Sequence, residues 1–262
     1  MVWSALGTQF ALELALGVLI AMAFVPNAPV GPFFYRIMGT AALVPILLAL
    51  ALPMLGQGHS AGRPQLVVTA LAVLAYPVFS GPVRGRGWAA AQGLGVVAVA
   101  VALALQVRTN LGPGADWGAW SLASFSAVAT GCVTGSVGLA MVLGHWYLTV
   151  PTLQVRHLRR LNRVCVASML ACLCAIALSC VVFADDFAAS ERSLFGMWGL
   201  FYLSTRVAVG LLVPLLFAWM TAQSLDAKNT RSATGILYAS TVLVMIGAAA
   251  SISLQDSFGV PL

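Results

Sequence analysis

Charge is what this sequence has least of. Only 8% of its 262 residues are Asp, Glu, Lys or Arg, while 61% are apolar; an ordinary soluble domain has about 25% and roughly 45–50%. With a mean hydropathy of +0.97, these values exclude a water-soluble enzyme, a disordered tail and a nucleic-acid-binding module. No basic residue precedes Arg36, so the first apolar segment lacks the positive n-region of a cleavable signal peptide and reads as a true helix. The five cysteines, Cys132, Cys165, Cys172, Cys174 and Cys180, all fall inside apolar stretches. There they report nothing about redox compartment and read as small buried hydrophobes, since their spacing is not a CxxC pair. Walker-A, HExxH and GxSxG signatures are missing. Asp185 and Asp186 are adjacent at a helix end and project in different directions, so they do not form a paired-carboxylate site, and no catalytic residue emerges.

What is present is a series of long apolar runs bounded by Gly, Pro and charge. They place helices at about residues 5–26, 34–55, 65–81, 88–107, 119–149, 162–184, 195–222 and 231–253. At about 20 residues per span, eight helices leave no room for a folded domain outside the membrane. The third is short, with Pro77 inside it, and reads as a span, a re-entrant segment or a helix packed wholly within protein. The expected fold is therefore all-α: a polytopic membrane bundle of about eight transmembrane helices. It forms a single domain over 1–262, divisible into four-helix halves 1–112 and 113–262. No residues match between the halves, and the paired broken helices of inverted-repeat transporters are not evident.

The basic residues orient this bundle. Arg36, Arg84, Arg86, Arg156, Arg159, Arg160, Arg163, Lys228 and Arg231 fall at one set of alternate connections, and only Arg63, Arg108 and Arg192 at the other. Cytoplasmic loops collect Lys and Arg, so both termini are expected outside the cytoplasm of a bacterial inner membrane. The densest stretch holds Arg156, Arg159, Arg160 and Arg163. As a connecting loop it would set topology and meet anionic headgroups, or dock an acidic partner subunit. It is too short, and has no accompanying module, for nucleic acid.

Polar groups inside apolar helices are the informative ones. Arg206 lies about eleven residues, roughly 16 Å, into the seventh helix, and Glu13 roughly 12 Å into the first from the same side. Each is the other's candidate counter-charge, directly or through a polar ligand; the alternative is a structural salt bridge. Tyr202, four residues before Arg206, and Gly210, four after, are expected on the same helix face, and Pro214 removes a backbone hydrogen bond one turn later. On the fifth helix, Gly131 and Gly135 form a GxxxG pair suited to close packing. That helix closes on Gly144, His145, Trp146 and Tyr147. The two aromatic rings suit the membrane interface, whereas His145 is a candidate to bind a quinone carbonyl, pass protons or ligate a metal. Bis-His haem b is not expected, because His59 and His157 lie in loops at the wrong depth, although Met38 or Met141 offers a thioether.

Together these features favour a membrane subunit of an electron-transfer complex, binding quinone or lipid between helices and docking other subunits. Such a chain is non-catalytic alone or is the quinone-reactive part of an oxidoreductase. The expected ligand-contacting residues are His145, Trp146, Tyr147, Arg206, Glu13 and Tyr202, with no metal. Two other classes remain: a small-solute or ion transporter coupled through Glu13 and Arg206, and a structural or assembly protein. In helix number and in lacking a haem pair, the chain resembles the quinone-binding anchors of molybdopterin-type oxidoreductases. The resemblance is one of architecture, and no residue is carried over from it.

Overall fold

The computed structural model describes residues 3–25, 30–55, 63–79, 86–150, 153–184, 187, 194 and 196–258. It contains eight helices: α1 (Trp3–Ala23), α2 (Gly31–Leu55), α3 (Arg63–Phe79), α4 (Arg86–Leu111), α5 (Trp117–Thr149), α6 (Arg156–Val182), α7 (Met197–Asp226) and α8 (Thr230–Phe258). There is no strand among the described residues. Seven helices are long and apolar enough to cross a membrane, and α3 is a shorter apolar helix. The chain is an integral, multi-pass membrane protein. The helix α3 is not packed wholly within protein: it lies against α2 and α4 and exposes Val67, Val68, Leu71 and Leu74. Arg84 and Arg192, and the Asp185–Asp186 and His59 segments, lie outside the described residues.

Two boundaries differ from expectation with consequences for the site. Helix α6 starts at Arg156, so the arginine-rich stretch is not a loop but its first two turns. Nothing from Arg156 to Arg163 breaks a helix. Its apolar positions also recur at helical spacing, with Leu158, Leu161 and Cys165 buried while Arg156, Arg160 and Arg163 face outward. The other helices also run on: α4 continues to Leu111 and α8 to Phe258, bringing polar residues near their ends into the bundle.

Helix α7 is α-helical except over Thr205–Leu212, which is π-helical. There the Val213 N–H reaches back five residues to the Ala208 carbonyl. Pro214 follows in the first turn of the resumed α-helix, where its missing N–H and ring clash with the preceding turn are accommodated by the widened register.

The packing closes two rings. Helices α1, α2, α3 and α4 each touch the next and α4 returns to α1; α5, α6, α7 and α8 do the same, α8 returning to α5. The α1–α5 seam joins the rings through glycine. Gly17 of α1 meets Gly131 and Gly135 of α5 backbone to backbone, and a methyl on Gly131 would stand 2.5 Å from the Glu13 carbonyl oxygen. Small residues let helices approach to van der Waals contact where no water-driven force holds them. Within the second ring Gly210 of α7 lies on Gly247 of α8 in the same way, a methyl there falling 2.5 Å from the Gly247 Cα. Polar pins add to this: Trp120 Nε1 donates to the Ala104 carbonyl at 2.9 Å, Asn162 Nδ2 donates to the Ala218 carbonyl at 2.8 Å, and Gln92 donates to the Leu19 carbonyl.

Candidate functional site

The glycine seam fixes where the buried polar side chains meet. On α1, Gln9 and Glu13 stand one turn apart on one face and are both buried, with Gln9 Nε2 donating to Glu13 Oε1 at 2.8 Å. On α4, Gln106 and Asn110 repeat this spacing, Gln106 Nε2 donating to Asn110 Oδ1 at 3.0 Å. Gln255 of α8 completes the group. Gln9 Nε2 donates to Gln255 Oε1 at 3.0 Å, and Gln9 Oε1 accepts from Gln255 Nε2 and Asn110 Nδ2, each at 2.8 Å. The Gln9 amide thus uses two donor and two acceptor interactions, its full capacity. Polar groups so placed are costly unless satisfied, and here each satisfies another across three helices.

Arg206 continues the cluster from the π-helical part of α7. Its side chain is 1% exposed and is the largest of the fully buried ones. Nη2 donates to Thr130 Oγ1 at 2.7 Å and approaches Cys172 Sγ at 2.9 Å. Thr130 precedes Gly131, the residue on which the Glu13 backbone rests. Arg206, through Thr130, and Glu13 are thus both anchored at the α1–α5 seam, near enough for the positive charge of Arg206 to act on Glu13. The other acidic residues among the described ones, Asp116, Asp226 and Asp256, lie at or near helix ends.

No protein family, curated protein or solved structure matches this chain. Its chemistry is accordingly read from the cluster itself: a carboxylate, a guanidinium, a thiol, a hydroxyl and four interlocked amides, set within the bundle. Such a set can bind and release a proton at Glu13, hold the counter-charge at Arg206, and fix the carboxylate's orientation through Gln9. Sequence reasoning found the two charges and missed the amides. Gln9 and Glu13 at i, i+4 in an apolar run were a usable signal. Gln106 and Gln255 were not, because the expected helices ended beside or before them.

The other expected site residues do not join this cluster. Tyr202 is half-buried near the start of α7, beside a cleft of about 510 Å³ lined with Met197, Trp198 and Phe258, its ring 5.6 Å from that of Phe201. His145, Trp146 and Tyr147 diverge, as consecutive helical residues must. His145 is exposed, its Nδ1 3.2 Å from the Tyr238 hydroxyl of α8. Trp146 turns to α2, edge-on to Phe34 at 5.4 Å and 6.3 Å from Phe33. Tyr147 is buried and donates its hydroxyl to the Gln154 carbonyl. The space beside Gly144 is taken by Thr234 and Leu237 of α8. A single site built from the three ring-bearing residues is thus not assembled, and the partner of His145 is Tyr238.

The arginines of α6 also separate. Arg159 pairs with Asp226 of α7 at 2.7 Å. Arg160 lies over the ring of Phe24, just past the end of α1, at 5.8 Å, and Arg156 and Arg163 are exposed. His157 is a buried member of the first turn of α6 and not a loop residue. The five cysteines are free thiols. No group of three or more His, Cys, Asp or Glu side chains suited to a metal ion occurs among the described residues.

Proposed function

We propose that the protein is the membrane subunit of an electron-transfer complex in a bacterial cytoplasmic membrane, working with quinone in the bilayer, with other subunits supplying or removing the electrons. The observation that carries this reading is the buried Glu13–Arg206 cluster. Reduction of a quinone takes up a proton for each electron, and a proton moved through the bilayer in step with that reaction needs an ionisable group on its path. Glu13 is that group in this reading; the amides of Gln9, Gln255 and Asn110 lead from it toward the bundle end formed by the start of α1 and the ends of α4 and α8. Intramembrane ionisable residues of this kind mark proton and substrate paths.

At the opposite end, His145 and Tyr238 form an imidazole–phenol pair on an exposed helix surface, suited to hydrogen-bond a quinone carbonyl. Along α8, Tyr238 and Gln255 are about 25 Å apart, so quinone chemistry at one end and a proton-binding carboxylate reached from the other would couple redox turnover to proton movement. Placing the arginine-rich end in the cytoplasm sets both termini outside it.

A second reading is favoured by one feature. The cluster sits where the two four-helix rings meet, the position of substrate sites between the repeats of many transporters. Solvent extraction of quinone from the protein, purified with its native partners, separates the two. The electron-transfer reading expects near-stoichiometric quinone, reduced in His145→Leu and retained in Glu13→Gln. Absence of quinone and of any redox-cofactor subunit, with solute uptake into vesicles driven by a pH gradient, would establish the transporter instead.

A further inference from the structure

We propose that the cleft between α1, α5 and α6 is a specific site for an anionic phospholipid, with Arg160 and Arg163 holding the phosphate and the cleft holding an acyl chain. This inference is independent of the redox reading. The cleft has a volume of about 520 Å³, and its walls are apolar: Phe24, Phe125, Val128, Cys132, Val164 and Ala167. Along α6 it extends from Arg160 to Ala171, about 16 Å, so it runs lengthwise down the bundle as an acyl chain would. Both arginines stand at one end of it, the end where α1 and α5 finish and α6 begins. No Asp or Glu among the described residues lines it.

Three facts make this more than a greasy surface with charge nearby. The Arg160 guanidinium is laid over the Phe24 ring at the mouth of the cleft, which holds a cation at the point where the apolar wall ends. The nearby Arg159 is already paired with Asp226, and Arg160 and Arg163 are the cations that line the cleft. Finally, α6 begins at Arg156 with no side chain capping its first N–H groups, so the same end of the cleft lies near the positive pole of a long helix. A headgroup with net negative charge complements all three, whereas a zwitterionic one carries its own ammonium into a basic mouth.

The test is native mass spectrometry of the full chain released from nanodiscs containing equal amounts of phosphatidylglycerol and phosphatidylcholine. Wild-type protein should retain phosphatidylglycerol preferentially. Each of Arg160→Ala and Arg163→Ala should lower that preference about fivefold, and the double variant about twenty-five-fold. Ala167→Trp, at an exposed wall position, should displace both lipids by filling the cleft. The double variant Arg36→Ala/Arg231→Ala, which removes the same charge from exposed positions outside the cleft, should retain the preference. Equal loss in that control would mean that net charge alone selects the lipid and would overturn the proposal, as would undiminished phosphatidylglycerol retention in Arg160→Ala/Arg163→Ala. Because all these positions are exposed, unchanged thermal unfolding is expected and serves as the folding check.

Discussion

Removing Arg206 and Glu13 one at a time and then together is the most informative perturbation of this bundle. Arg206 is 1% exposed, Glu13 is 6% exposed, and the charge of one acts on the other. Breaking a buried pair by deleting one partner costs about 3–5 kcal/mol, because it strands the other charge. For Arg206→Met the loss includes the hydrogen bond to Thr130 at 2.7 Å and the contact with Cys172, interactions of a kind worth about 1.5–3 kcal/mol when charged. Glu13→Gln keeps the shape of the side chain and a hydrogen-bonding carbonyl for Gln9, so its loss should fall at the lower end, about 3 kcal/mol. The double variant leaves no charge unpaired and should be more stable than the sum of the two losses by about 1–3 kcal/mol. Reversible unfolding in mixed micelles of rising dodecyl sulfate content measures all four proteins on one scale. Losses that add to within about 0.5 kcal/mol would refute the coupling and leave two independent polar residues.

Three further outcomes follow from the packing. Gly135→Leu drives a side chain into the Gly17 backbone and should prevent assembly of the α1–α5 seam, whereas Gly138→Ala, with open space beside it, should be neutral; size-exclusion profiles and thermal unfolding of the two read the difference. The Arg159–Asp226 pair has side chains 42% and 71% exposed, so a double-mutant cycle on it should give no more than about 1 kcal/mol, decreasing with salt. Topology reporters inserted after Gln154 and after Leu262 should report opposite sides of the membrane, with the first cytoplasmic; the same side for both would overturn the eight-span arrangement.

The parts of this fold that were legible in the sequence are those set by bulk hydropathy. Eight apolar runs give eight helices, and the segregation of Arg and Lys to alternate connections matches that count. The close approach at Gly131 and Gly135 was legible as a GxxxG pair, but its partner Gly17 was not, since nothing in a lone glycine on α1 says which helix it meets. Helix ends were the weak point, and they hid half of the site. Gln106, Asn110 and Gln255 lower the local hydropathy so that the apolar runs end early, yet all three are helical, and Gln9 of α1 links Asn110 of α4 to Gln255 of α8. Arg156 to Arg163 depart from expectation for the same reason: dense charge reads as loop, although the backbone there loses nothing by staying helical. The π-helical turn of α7 depends on Arg206, Gly210 and Pro214 being accommodated together against α5, α6 and α8, a tertiary demand with no local period. His145, Trp146 and Tyr147 are adjacent in the chain, but a helix sends successive side chains about 100° apart, so adjacency was no guide to a shared site.

In the reading proposed above Glu13 handles a proton during quinone turnover, and the decisive assay is electron transfer between quinone and the partner subunits in native membranes, wild type against Glu13→Gln. A group that transfers a proton in the rate-limiting step contributes about 10²–10⁴-fold. Turnover in Glu13→Gln should fall at least about a hundredfold, with the complex assembled and its quinone retained. Turnover equal to wild type in an assembled, quinone-loaded Glu13→Gln complex would contradict it and leave the Glu13–Arg206 pair as a structural clamp between α1, α5 and α7.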